Sequence, residues 1–156
     1  YLEGQLAVAL GGRVAEEIVY GKDEITTGAS NDLQQVRNIA RNMVTQWGFS
    51  KDKLGATAWD IPNTPWYGQQ AASAETEAKI DAEVKSLVAA AYAKCKEALS
   101  THRDLLDEVT ESLIENESID FEELYAMVGK YEPALAETAK VNFPPEMSTR
   151  DPAASV

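Results

Sequence analysis

Apolar residues recur at helical spacing along most of the chain. Leu2, Leu6, Leu10, Val14 and Ile18 fall every four residues and predict one helix with a single buried stripe, ended by Gly21. Gly11 and Gly12 sit inside it. A glycine costs up to about 1 kcal/mol against alanine in a helix interior, so the pair predicts a close approach by another backbone or a ligand, or a bend. After a short loop, 22–29, a second helix carries Leu33, Val36, Ile39, Ala40, Met43, Val44 and Trp47 on its apolar face. Ser30 or Asn31 is placed to cap it, Asn31 with Gln34 resembles a capping box, and Gly48 supplies the stop.

From Phe49 to Ala72 the periodicity fails. Gly55, Pro62, Pro65 and Gly68 punctuate a stretch that also holds Trp59, Trp66 and Tyr67. An aromatic-bearing loop of this length in a compact domain either binds something or packs down on a core. A long helix follows over about 74–100, with Ile80, Val84, Leu87, Val88, Ala91, Tyr92, Cys95 and Leu99 facing inward. Another is expected over about 102–116 through Leu105, Leu106, Val109, Leu113 and Ile114. The last opens with Asp120 as cap and Glu123 three residues on, and should end before Gly129. Beyond Tyr131 the proline-rich pattern reads as a disordered tail, 131–156. The fold class expected is all-α, with one long aromatic-bearing loop.

Composition narrows the function classes. With a net charge of −12 the chain lacks the basic balance of a nucleic-acid binder. Its acids are concentrated in the second half, from Glu75 to Glu137, as a solvated surface would be. A single cysteine, Cys95, excludes an internal disulfide framework and a multi-cysteine zinc site; on the apolar stripe it reads as an inert buried thiol. No stretch approaches the roughly 18 apolar residues of a spanning helix.

Candidate chemistry is sparse when residues are taken singly. The only histidine, His102, lies at a helix start, where a solvated or capping role fits it, and one histidine cannot form a zinc-binding pair. No glycine-rich phosphate loop with a following Lys and Ser or Thr occurs. Glu16 and Glu17 flank the buried stripe of the first helix, and Asp32 falls in the first turn of the second, where acids are favoured by the helix dipole in any case.

The blocks GGRVAEEIVYG, TTGASNDL, ARNMVTQWGFS and KLG resemble the FtsH family of membrane-anchored, ATP-dependent zinc proteases, and the resemblance covers about residues 1 to 128 in the same order and spacing, including Ile80–Val84 and the helix start at Glu117–Leu124. The resemblance implies that this is the C-terminal part of the peptidase domain, residues 1–130. In that family a His-Glu-x-x-His helix supplies two zinc ligands and the general base, and an aspartate farther along completes the set. That aspartate corresponds to Asp32, and the first glutamate of the GGRxAEE block, which supports a ligating histidine, corresponds to Glu16. Leu54, Gly55 and Trp59 become candidates for lining the cleft. The His-Glu-x-x-His pattern and the ATPase do not occur in these 156 residues, so no catalytic residue is assigned within the chain, and alone it should bind zinc poorly and hydrolyse nothing. The cofactors implied are zinc and, on an upstream domain, ATP. The partners implied are other subunits of a hexameric ring, unfolded polypeptide substrates and, through upstream segments, a membrane: the bacterial inner membrane, the plastid thylakoid or the mitochondrial inner membrane. The competing reading is a proteolytically inactive subunit that keeps the scaffold within a mixed ring.

Overall fold

The computed structural model describes residues 1–50, 54–55, 57–59 and 72–142, the last four of these by backbone alone. Every regular element among them is helical: α1 (Leu2–Tyr20), α2 (Ser30–Thr45), α3 (Ala74–Thr101), α4 (Arg103–Asn116), α5 (Phe121–Tyr131) and α6 (Pro133–Asn142), with a 3-10 turn at Lys22–Glu24. The chain divides into two compact units, Tyr1–Ser100 and Thr101–Val156.

In the first unit the predicted stripes meet. Leu6, Leu10 and Val14 of α1 are buried against Val36, Ala40 and Met43 of α2 and Ala91 and Cys95 of α3. A second cluster joins Val44, Leu54 and Ile80, with Trp59 packed on it. Burial raises the Cys95 thiol pKa, in keeping with an inert cysteine. Gly21 ends α1 at φ 89°, and Gly48 follows α2 at φ 68°, left-handed conformations that favour glycine.

Several expectations need correction. Leu33 and Trp47, on the apolar face of α2, are 44% and 48% exposed, because no described element covers that edge of the stripe. The residue before α2 is Ala29, with no side-chain cap; the Ser30 hydroxyl instead donates to the Thr27 carbonyl at 2.5 Å, so the Asn31–Gln34 capping box does not form. At Gly11 and Gly12 an added Cβ would meet nothing within 4 Å among the described residues, so the expected close approach is not made there.

The second unit confirms one cap and moves two boundaries. The Asp120 carboxylate accepts from the Glu123 N–H at 2.8 Å while Glu123 accepts from the Asp120 N–H at 3.2 Å, the reciprocal box expected at the start of α5. That helix does not stop before Gly129 but runs on to Tyr131. A Cβ added at Gly129 would lie 3.7 Å from the Ala136 Cβ, an ordinary contact, so α5 and α6 are packed neighbours there. Residues 133–142 therefore form a helix where the composition suggested disorder. Pro133 occupies the first helical position, which needs no N–H, and Ala136 is buried. Residues 143–156 and the loop residues 60–71 lie outside the described residues. On α4, Leu113 and Ile114 are exposed rather than inward-facing.

Candidate metal centre

The candidate site is built where the end of α1 meets the turn before α2. Glu16 lies on the last stretch of α1, half-buried. Its two carboxylate oxygens accept from Thr26, one from the hydroxyl at 2.7 Å and one from the backbone N–H at 3.2 Å. The same hydroxyl oxygen accepts from the Gly28 N–H at 3.2 Å. Ser30 N–H then donates to the Thr27 carbonyl at 3.1 Å, and the first bond of α2 runs from Leu33 to Ala29 at 3.0 Å. Glu16 thus organises the turn from which α2 starts. The Thr26 bonds, with the Arg13 charge assisting, hold the Glu16 carboxyl below its ordinary pKa.

Asp32 is carried in the first turn of α2 and is exposed. Its side chain takes part in no hydrogen bond or ion pair with the described residues, so its carboxylate oxygens are free to accept an external ligand. A carboxylate on an ordered helix start, unpaired and close to solvent, fits the requirements of a hard oxygen ligand to zinc. It fits as one ligand only. No group of three or more His, Cys, Asp or Glu side chains suited to a metal occurs among the described residues.

The two adjacent glutamates have separate roles, which their spacing alone did not reveal. Glu17 turns toward α3, where its carboxylate accepts from the Tyr92 hydroxyl and, at 2.9 Å, from the Lys96 ammonium. The Tyr92 bond, and then Lys96, lower its pKa, while the same contact with Glu17 raises that of Tyr92. In the sequence Thr26 is signalled only by its place in the TTGA block. Leu54 is buried, and Trp59 is tied to the end of α2: its backbone N–H donates to Thr45 O at 2.7 Å and its indole N–H to Leu54 O at 3.3 Å. These contacts hold this part of the loop against the end of α2. Gly55 stands beside them at φ 69°.

The family model for peptidase family M41 matches residues 1–127. The chain belongs to peptidase family M41. The chain is 47% identical over 142 residues to the ATP-dependent zinc metalloprotease FtsH 3 of Synechocystis sp., covering 87% of this chain and 23% of that protein. It is 46% identical over 133 residues to the chloroplastic ATP-dependent zinc metalloprotease FTSH 1 of rice, Oryza sativa subsp. japonica, covering 81% and 19%. The corresponding chloroplastic protein of Arabidopsis thaliana is 47% identical, covering 81% and 18%. The chain therefore spans about a fifth of the length of these M41 relatives. No helix among the described residues is long and apolar enough to cross a membrane.

Proposed function

We propose that this M41 segment supplies one zinc ligand, Asp32, to an ATP-dependent zinc metalloendopeptidase. The observation that carries the reading is an exposed, unpartnered carboxylate in the first turn of α2, on a turn braced by Glu16 through Thr26. The remaining ligands and the general base, a His-Glu-x-x-His helix by family likeness, belong to the polypeptide outside this chain. Zinc, when bound, lowers the pKa of a coordinated water towards roughly 7 and polarises the scissile carbonyl. Within this chain, Asp32 holds an oxygen donor at a fixed place, Glu16 keeps that place ordered and supports a ligating imidazole, and Leu54, Gly55 and Trp59 line the edge of the cleft. The substrates are unfolded or damaged membrane and soluble proteins, fed by an ATPase domain elsewhere in the polypeptide into a ring of six subunits. Names of relatives that are cyanobacterial or chloroplastic support a photosynthetic membrane, with the peptidase on its cytosolic or stromal side.

The test is zinc content and proteolysis of the intact protein with Asp32→Ala. Zinc occupancy falling at least about tenfold, with ATP hydrolysis and helix content retained, is the expected result. Stoichiometric zinc in that variant would overturn the assignment of Asp32.

A further inference from the structure

An apolar groove of about 500 Å³ runs across the first unit between α1, α2 and α3. Leu33, Val84 and Val88 contribute its floor, and Arg13, Arg37 and Lys85 stand around it. None of these three cations has a hydrogen bond or ion pair to a described residue, although the Arg13 charge is felt at Glu16. Elsewhere among the described residues the basic side chains are paired: Arg41 holds Glu77, Lys94 holds Glu3, Lys96 holds Glu17 and Arg103 holds Asp107. In a chain with 14 basic against 26 acidic residues, unpaired cations gathered at an apolar surface mark a place for an acidic partner.

The second unit carries a matching surface. From Thr101 onward stand 13 of the acidic residues and four of the basic ones. At the C-terminal end of α4, Ile114 is 76% exposed. Glu111 lies one turn before it on the same face and Glu115 follows it. Both glutamates are exposed and have no partner among the described residues. An apolar tip flanked by carboxylates is the complement of an apolar floor flanked by cations.

We infer that, between two copies of this chain, the end of α4 of one copy docks in the α1–α2–α3 groove of the other, Ile114 on the apolar floor and Glu111 and Glu115 against Arg37 and Lys85. Tip and groove are different surfaces, so the contact is head-to-tail, the arrangement that closes into a ring when the rotation permits. The inference deepens the proposed ring and rests on it, since it requires that copies assemble. It does not require that they be proteolytically active.

The experiment uses the intact protein. Sedimentation establishes whether the parent assembles. An Ala89→Cys protein, with the thiol in the groove, is then mixed with an Ile114→Cys protein under mild oxidation. A reducible pair of chains, formed in the mixture and not by either variant alone, is expected. Independently, Arg37→Glu with Lys85→Glu should raise the concentration for half-assembly at least about tenfold, and a partner carrying Glu111→Lys with Glu115→Lys should restore it. If the parent assembles but neither result appears, the docking is overturned and the ring stands. A disulfide within one chain of the Ala89→Cys, Ile114→Cys double variant, formed in place of the link between chains, overturns it in favour of the chain's own α4. Cross-linking of Cys-bearing unfolded substrate to the groove in preference to Ile114→Cys overturns it in favour of a substrate groove. A parent that stays monomeric at all concentrations overturns both docking and ring.

Discussion

Thr26 gives both of its donors to Glu16, ten residues earlier: its hydroxyl at 2.7 Å and its backbone N–H at 3.2 Å. That pairing joins the end of α1 to the turn that launches α2, and so connects one family-motif glutamate to the placement of Asp32.

Replacing Glu16 by Gln tests the brace. An amide has one acceptor oxygen, so one of the two Thr26 donors loses its partner. Amide exchange at Thr26 and Gly28 should quicken, and zinc affinity of the intact protein should fall, while Asp32 itself is untouched. In the parent the effect of pH has a definite sign. The folded-state pKa of Glu16 lies below its ordinary 4.5, so its contribution is complete above that value and is lost as pH falls through the lowered one. Exchange rates at the two amides unchanged by the substitution would remove Glu16 from this role.

Asp32→Asn should separate metal binding from folding. The side chain is exposed and unpartnered among the described residues, and surface changes of this kind move stability little. The melting temperature of the metal-free protein is expected within about 2 °C of the parent, against a large loss of bound zinc. A steep loss of stability without metal would mean that Asp32 serves the fold instead.

The Glu17–Tyr92–Lys96 group fastens α1 to α3. Tyr92→Phe removes the donor that contributes most to the lowered Glu17 pKa, so the first unit should melt several degrees earlier. Glu17 contributes fully above its ordinary 4.5 and loses that contribution as pH falls through its lowered pKa. Tyr92, with its pKa raised, contributes fully below its ordinary 10.0 and loses that contribution as pH rises through the raised one. Stability of the parent should therefore fall at both ends of that window, and the Phe variant should lack the alkaline fall assigned to Tyr92. A thermal scan across pH reads both limbs.

Core and glycine substitutions should have opposite signs. Ile80 is fully buried between Val44 and Leu54, and Ile80→Ala should cost about 2–5 kcal/mol in denaturant unfolding. Gly11→Ala meets nothing within 4 Å and should stabilise the chain by up to about 1 kcal/mol. If the same Gly11→Ala substitution impairs the intact protein, a surface outside the described residues approaches α1 there.

In the second unit, Asp120→Ala removes an observed capping box and should cost about 0.5–2 kcal/mol. Gly129→Ala places a methyl at ordinary contact with Ala136 and should be neutral or stabilising. Comparing the two by thermal unfolding checks whether α5 and α6 pack as closely as the 3.7 Å separation indicates.

What the amino-acid sequence determined alone was mostly local. The four-residue spacing of Leu6, Leu10 and Val14 marks a helix because 3.6 residues make a turn, and Gly21 ends it because its φ of 89° suits no side chain well. Asp120 and Glu123 announced their capping box because both partners lie within one turn. Asp32 could be located in the first turn of α2 from the same kind of signal, and its assignment to zinc came from motif likeness. Tertiary structure decided what depends on distant partners. Glu16 and Glu17 are neighbours on one helix, about 100° apart around its axis, and spacing does not say which turns to Thr26 and which to Tyr92, 75 residues away. Leu33, Trp47 and Ile114 fit apolar stripes yet stay exposed, because burial requires a facing element and periodicity records only one side of the contact. Helix α6 formed within its proline-rich surroundings with Ala136 buried beside Gly129 of α5, a contact between two helices that neither segment encodes by itself.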